Sequence, residues 1–83
     1  MRLDHQILRL MYELESKGKL LHCVNETVEE YFPTRNTEKF KEQIYEELIV
    51  CGLRGLVELR KMMAGDPWIL TNSGRFYVKS LLD

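Results

Sequence analysis

A proline within a short turn separates two helical patterns and limits how this chain can fold. Asn25 is placed to cap the first pattern, which covers Glu26 to Tyr31. Pro33 ends it, because the residue before a proline is pushed out of helical backbone. The letters PTRNT then form a turn of about four residues, and the next helix begins at Asn36 or Thr37. A short helix, a tight turn and a longer helix predict helix-turn-helix geometry.

The longer helix carries apolar residues at helical spacing. Four of them recur four, four and three positions apart and are expected to be buried: Phe40, Ile44, Leu48 and Cys51. Tyr45 and Ile49 are expected to widen this buried stripe. Gly52 is expected to end the helix.

The N-terminal segment predicts another helix and then an extended stretch. Asp4 is placed to cap the helix, and Gly18 suits the left-handed backbone that follows a helix end. The apolar stripe of this helix is spaced by threes and fours: Ile7, Leu8, Leu10, Met11 and Leu14. Residues 19–24, KLLHCV, predict a short strand or an extended link.

The C-terminal part of the chain predicts a hairpin and a last helix. Residues 53–60 favour a strand, residues 61–67 favour a loop, and residues 68–71 return as the second strand. From Phe76 onward the apolar residues recur as in a helix, and a side-chain oxygen of Thr71, Asn72 or Ser73 is placed to accept a hydrogen bond in its first turn. Helices together with an antiparallel hairpin predict the α+β class.

Length and composition predict one soluble domain. Eighty-three residues suffice for a single core and show neither a repeat nor a linker, so residues 1–83 are expected to form one domain. The charged N-terminus is unlike a signal sequence, and no stretch approaches the roughly 20 apolar residues that span a bilayer. We therefore expect a cytoplasmic protein without a membrane partner. A net charge of −1 gives no basic excess of the kind common in nucleic-acid binders.

Few side chains suit metal binding or catalysis. Cys23 and Cys51 lie 28 positions apart among apolar residues, and we expect reduced, buried thiols rather than a disulfide. His5 and His22 complete the supply of zinc ligands of this kind, and no C-x-x-C pair occurs. Ser73 in NSGR lacks the G-x-S-x-G elbow of serine hydrolases. We expect no metal, no cofactor and no enzymatic activity.

Two passages of the chain resemble the winged helix-turn-helix superfamily. EELIVCGLRGLVEL resembles the passage in which the third helix ends in glycine and leucine, here Gly52 and Leu53, and runs into the first strand of the wing. ILTNSGRFYVKSLL resembles the passage L-T-x-x-G-R-x-Y-x-x-x-L that closes many small bacterial, archaeal and phage members. Its matching residues are Leu70, Thr71, Gly74, Arg75, Tyr77 and Leu81. The order of elements agrees along nearly the whole chain. The resemblance implies a three-helix core, a two-stranded β-wing and a C-terminal helix that begins at a Thr71 cap, with Gly74 close to its neighbours.

Winged-helix domains of this kind mostly bind duplex DNA, with the third helix in the major groove and the wing beside the backbone. The resemblance therefore implies a DNA-binding transcriptional regulator. Its contact residues are expected at the start of the third helix and on the wing: Thr34, Arg35, Asn36, Thr37, Lys39, Gln43, Arg60 and Lys61. Among these, Arg35 suits guanine, while Asn36 and Gln43 suit adenine. Thr37 and Lys39 suit phosphates.

Acidic residues on the same helix oppose DNA binding. Glu42, Glu46 and Glu47 would repel phosphates unless the helix enters the groove by its N-terminal end. Eight cations are expected to form a modest basic stripe over the fold: Arg35, Lys39, Lys41, Arg54, Arg60, Lys61, Arg75 and Lys79. Because affinity for DNA depends on neutralised phosphates, so few cations predict weak binding by a monomer. A homodimer would bind more strongly.

The alternative function is protein–protein contact or dimerisation without DNA binding. Met62 and Met63 are unusually apolar for a loop that touches phosphates, and one of the two is expected to be exposed as a partner surface. A two-fold interface is expected from four apolar side chains of the first and last helices: Leu3, Leu10, Tyr77 and Leu82. A continuous positive surface would favour DNA, whereas an acidic helix face beside an apolar patch would favour a protein partner.

Overall fold

The helices and strands follow one another in the order that the sequence predicts. The computed structural model describes residues 2–62 and 65–82. Within them the elements are α1 (Leu3–Ser16), α2 (Val24–Tyr31), a 3₁₀ turn (Pro33–Arg35), α3 (Glu38–Leu53), β1 (Val57–Leu59), β2 (Trp68–Leu70) and α4 (Asn72–Leu82). β1 and β2 pair antiparallel, with Val57 opposite Leu70. This arrangement confirms the α+β class.

One hydrophobic core joins the helices to the hairpin. α3 contributes the four residues that its spacing predicts, here called the inner row, and each is at most 5% exposed: Phe40, Ile44, Leu48 and Cys51. α1 contributes a buried stripe of Ile7, Leu8, Met11 and Leu14. The other buried apolar residues are Leu21, Val28, Leu56, Val57, Leu70 and Val78. Leu10 is only partly buried at the edge of this core.

Two threonines cap the helices that follow the two turns, and the cap at Thr71 is the one that the resemblance implies. The Phe40 N–H donates to Thr37 Oγ1 at 3.1 Å at the start of α3. The Gly74 N–H donates to Thr71 Oγ1 at 3.0 Å at the start of α4. The Thr71 hydroxyl also donates to the Gly55 carbonyl at 2.6 Å. Thr71 therefore fixes the start of α4 to the bend that precedes β1.

Gly74 permits α4 to lie directly against that bend. A Cβ at this position would overlap the Leu56 carbonyl oxygen and would lie 3.2 Å from Leu70 Cδ2. The Thr71 N–H donates to the same Leu56 carbonyl at 3.1 Å. The expectation that the last helix begins close to its neighbours at Gly74 is confirmed.

The caps predicted for the first two helices are wrong. Asp4 lies inside α1, where its carboxylate is drawn to Arg2 and accepts a hydrogen bond at 2.8 Å. Asn25 lies in the first turn of α2, because Cys23 is the last extended residue and its carbonyl already accepts from the Thr27 N–H at 3.0 Å. The residues at the N-cap positions, Arg2 of α1 and Cys23 of α2, make no capping hydrogen bond through their side chains.

The end of α3 lies one residue beyond Gly52. Leu53 belongs to the last turn of the helix and is exposed, so the prediction that it begins the first strand is wrong. Gly55, with φ of 75°, takes the left-handed backbone, and the Leu56 N–H donates to the Cys51 carbonyl at 2.9 Å. This bond pattern is the one that closes a helix with glycine after its end. The chain then turns into a strand of three residues.

The segment between α1 and α2 is an extended link with a single β-bridge. The Trp68 N–H donates to the Leu21 carbonyl at 2.8 Å, which attaches the link to β2. Of the two structures that the sequence allows for residues 19–24, a short strand or an extended link, the chain adopts the extended link. Separately, no helix within residues 2–62 and 65–82 is long and apolar enough to cross a membrane.

Candidate nucleic-acid interface

The contact residues predicted at the start of α3 are all exposed. They belong to the 3₁₀ turn, to the two residues after it and to the outward side of α3: Thr34, Arg35, Asn36, Thr37, Lys39 and Gln43. The Arg35 guanidinium lies over the Phe40 ring, with Cζ 4.1 Å from the ring centroid. This stacking holds the guanidinium beside the start of the helix. Thr37 uses an oxygen lone pair for its cap, and its hydroxyl hydrogen can still be donated.

The residues predicted on the hairpin are also at the surface. Arg60 and Lys61 follow β1 and are exposed, and Arg60 Nη2 donates to Glu58 Oε1 at 2.7 Å. Met62 is 47% exposed, in agreement with the prediction that one of the two methionines faces solvent. Met63 lies outside the described residues. The hairpin therefore presents cations beside an apolar side chain.

Ion pairs within the chain reduce the predicted basic stripe. Four of its eight cations lie 2.6–3.5 Å from carboxylates: Lys41 from Glu38, Arg54 from Asp4, Arg60 from Glu58 and Arg75 from Glu15. In the parts of the chain that the structure describes, no ion pair involves Arg35, Lys39, Lys61 or Lys79. The cations available to phosphates are thus mainly at the N-terminal end of α3 and beside β1.

The outward face of α3 changes from acidic to apolar along the helix. From its N-terminal end to its middle it carries Glu38, Glu42 and Glu46, all of them exposed. Its C-terminal half carries Ile49, Val50 and Leu53, which are exposed too. An acidic stretch followed by an apolar one is not the surface that a helix lying along a DNA groove requires.

Three apolar residues one helical turn apart form an exposed row on this face, here called the outer row. They are Tyr45, Ile49 and Leu53, with exposed fractions of 52%, 41% and 84%. The prediction that Tyr45 and Ile49 widen the buried stripe is wrong, because the inner row already fills the side of α3 that faces the core. The Tyr45 ring contacts Trp68 edge-on, with centroids 6.4 Å apart, and Leu59 pairs opposite Trp68. The outer row therefore continues onto the hairpin.

A buried carboxylate behind this surface connects three helices. Asp4 is 7% exposed and accepts hydrogen bonds from Arg2 and from the His5 N–H. Burial by itself raises the pKa of Asp4, but these hydrogen bonds and the neighbouring positive charges outweigh it and leave the pKa below its ordinary value. Arg54 at the end of α3 lies 3.5 Å from Asp4 and over the Tyr77 ring of α4. No local sequence pattern indicated this cluster.

The surface predicted for a two-fold interface is largely used within the fold. Three of its residues, Leu3, Leu10 and Tyr77, pack against the core, and Leu82 is exposed. The Tyr77 hydroxyl and His5 Nε2 also share a hydrogen bond of 2.9 Å. Tyr77 of the predicted interface therefore joins α4 to α1 within one chain.

The two cysteines and a groove between α2 and α3 are further features to consider for catalysis or cofactor binding. Cys51 is buried and Cys23 only half-buried, and both are free thiols. Burial raises the pKa of the Cys51 thiol, which lowers its thiolate fraction and its reactivity. Searching residues 2–62 and 65–82 gives no group of three or more His, Cys, Asp or Glu side chains placed to hold a metal ion. An open groove of about 330 Å³ between α2 and α3 is lined by Val24, Asn25, Lys41, Glu42, Tyr45 and Glu46.

Comparison with known proteins found no match. No family model matches the chain, no curated protein is similar to it, and no solved structure matches it. The resemblance to the winged helix-turn-helix superfamily therefore depends on the two sequence passages and on the order of the elements. The residues exposed on α3 and on the hairpin are the remaining guide to function, because a fold by itself does not determine one.

Proposed function

We propose that this chain is a winged helix-turn-helix protein that binds duplex DNA as a transcriptional regulator. In this proposal α2 and α3 form the helix-turn-helix, β1 and β2 form the wing, and α3 enters the major groove by its N-terminal end. One observation carries the proposal: four exposed side chains with suitable chemistry surround the capped start of α3. They are Arg35, Asn36, Lys39 and Gln43. A regulator of this kind would act in the cytoplasm and would need neither a cofactor nor a catalytic step.

The start of α3 offers both phosphate and base contacts. The unpaired N–H groups of its first turn and the positive end of the helix dipole favour a phosphate, and Lys39 adds a full charge. Arg35 can donate two hydrogen bonds to guanine, and its stacking on Phe40 restricts the side chain before DNA arrives. Asn36 and Gln43 match the donor and acceptor of adenine.

The acidic residues of α3 require entry by the N-terminal end. Glu42, Glu46 and Glu47 would face phosphates if the helix lay along the groove. Glu46 lies eight residues after Glu38, so it is about 12 Å farther along the axis at 1.5 Å per residue. End-on entry keeps Glu46 and Glu47 farther from the DNA than the contact residues.

Two exposed lysines give a matched test of DNA binding. Lys39→Gln removes a charge at the start of α3, and Lys17→Gln removes one after the end of α1. We expect Lys39→Gln to reduce the salt-dependence slope for a random-sequence duplex by about 0.9, as for one lost phosphate contact, and Lys17→Gln to leave it unchanged. Fluorescence anisotropy at several salt concentrations measures both slopes, with a duplex of roughly 30 base pairs, about three helical turns.

The parent chain gives the decisive outcome. A non-specific binder of this class is expected to bind with Kd of about 10⁻⁴ to 10⁻⁶ M at physiological salt. If the folded parent does not bind even at low salt, the DNA proposal fails. If Lys39→Gln and Lys17→Gln changed the salt-dependence slope equally, the chain would bind DNA through a surface other than the start of α3.

A second function, protein–protein contact by a winged helix without DNA binding, is supported by the outward face of α3. Acidic residues there adjoin the exposed outer row, which suits a protein partner better than a phosphate backbone. Met62 adds an exposed apolar side chain on the hairpin, with Met63 as its proposed companion. A folded chain without affinity for DNA would favour this function.

A further inference from the structure

We propose that the outer row, Tyr45, Ile49 and Leu53, is a self-association surface that binds the same row of a second copy of this chain. The two α3 helices would run antiparallel about a two-fold axis at Ile49. This proposal does not rest on DNA binding, since none of the residues proposed to contact DNA belongs to the outer row and those of α3 lie toward the other end of the helix.

The first argument is the exposure of the row. Scattered apolar residues are normal on protein surfaces, but an outward helix face is ordinarily polar. Here three large apolar side chains follow one another at successive turns, with Val50 exposed beside them. Leu59, exposed on the hairpin, and Trp68, half-buried, continue the apolar surface. A contiguous patch of this kind marks an interaction site.

The second argument is the symmetry of the row. Tyr45 and Leu53 each lie four residues from Ile49, on either side of it. A two-fold axis at Ile49 therefore brings Ile49 against the partner's Ile49, and Tyr45 against the partner's Leu53. Rows spaced by four are the ridges with which helices most often pack. The row is thus complementary to itself, as a two-fold interface requires.

The third argument is the distribution of charge. In an antiparallel pair, Glu42 and Glu46 would lie over the partner's residues 48–57, a segment that carries no acidic residue and only one charge, that of Arg54. In a parallel pair, each glutamate would instead lie beside its own copy and repel it. Charge therefore selects the antiparallel arrangement and is compatible with a second copy as the occupant.

Charge substitutions at Ile49 test the axis directly. Ile49→Glu and Ile49→Lys each place two like charges together at the two-fold axis, so each variant alone should dissociate with Kd raised about 100-fold or more. An equimolar mixture of the two should associate again, because each carboxylate then faces an ammonium group. Sedimentation equilibrium measures the association of the parent, each variant and the mixture, and far-UV circular dichroism checks their folding.

Two further variants keep the test decisive. Phe76→Glu changes an exposed apolar residue on the outward side of α4 and should leave the dimer intact. Leu53→Glu, at the most exposed position of the row, should dissociate the dimer without unfolding the chain, which covers the case in which substitution at Ile49 prevents folding. A monomeric parent, a dimeric Ile49→Glu or Leu53→Glu variant, or a mixture that stays monomeric would each overturn the proposal.

Discussion

Two rows of apolar side chains run along α3 with similar spacing and opposite surroundings. The inner row, from Phe40 to Cys51, is at most 5% exposed, whereas each member of the outer row is at least 41% exposed. Both rows satisfy the helical period, so the period alone cannot say which of them faces a core. Their difference lies in what the rest of the chain packs against them.

The covering elements explain the difference. α1, α2 and β1 all contact α3, and the inner row lies in the hydrophobic core that they share. Tyr45 and Ile49 each follow an inner-row residue by one position, and one position rotates a side chain by about 100° around the helix. That rotation takes both side chains past the edge of the core. An apolar residue at such an edge is consistent with a packing role and with a binding role alike.

The largest expected effect is the contrast between neighbouring positions in the two rows. Leu48→Ala should lower the free energy of unfolding by about 2–5 kcal/mol, because it leaves a cavity in the core. Ile49→Ala should change it by about 1 kcal/mol or less in the monomer, because much of the side chain is already exposed to solvent. Urea denaturation in dilute solution, where the chain is monomeric, measures both. Similar costs at the two positions would abolish the distinction between the rows.

A smaller change in the free energy of unfolding is expected at Thr37, the cap of the helix that carries both rows. Thr37→Ala removes the acceptor of the Phe40 N–H and should cost about 0.5–2 kcal/mol of unfolding free energy. Thr34→Ala is the matched control, since it changes an exposed threonine of the preceding 3₁₀ turn. Thermal and urea unfolding compare the two variants. A Thr34→Ala variant as unstable as Thr37→Ala would show that the cap contributes nothing particular.

The smallest change in stability is expected at low pH and concerns Asp4, which pairs with Arg54 at the C-terminal end of α3. The folded pKa of Asp4 lies below its ordinary value of 3.8, so its contribution to stability is present above that value and is lost as the pH falls through the folded pKa. Arg2 and Arg54 are partly exposed, so solvent weakens their attraction to Asp4. Asp4→Asn should reduce the loss of stability as the pH falls, whereas Glu29→Gln should leave that loss unchanged. Melting temperatures below pH 5 distinguish the two, and an equal loss in parent and Asp4→Asn would contradict this role.

The predictions that were confirmed depend on short-range patterns. The stop at Pro33, the start of α3 close to Thr37 and the spacing of the inner row each depend on residues within one or two helical turns, and the structure agrees with all three. The predictions for Thr71 and Gly74 are also of this short-range kind. The Thr71 cap lies three residues before Gly74, and Gly74 packs against the nearby bend at Leu56.

The predictions that were wrong depend on distant partners. Asp4 has the right chemistry for an N-cap, but it lies inside α1, where its carboxylate accepts from the His5 N–H and pairs with Arg2 and Arg54. Arg75 was expected in a basic stripe, yet Glu15, 60 residues away along the chain, pairs with it at 2.6 Å. For the candidate site, exposure of the polar residues at the start of α3 was predictable. The neutralisation of half of the cations and the exposure of the outer row were not, since both require the packed fold.

The length of α3 has a consequence for the DNA sequence that a dimer would recognise. Glu38, at the start of this 16-residue helix, lies eleven residues before Ile49, about 16 Å at 1.5 Å per residue. Two copies joined at Ile49 would hold their N-terminal ends about 33 Å apart. Successive major grooves on one side of B-DNA are separated by roughly 34–36 Å. The distances agree, but antiparallel helices point their N-terminal ends away from each other, so such a dimer could reach two grooves only by lying along the duplex, where Glu42 and Glu46 would face phosphates. A dimer that binds end-on would therefore recognise a single half-site rather than an inverted repeat.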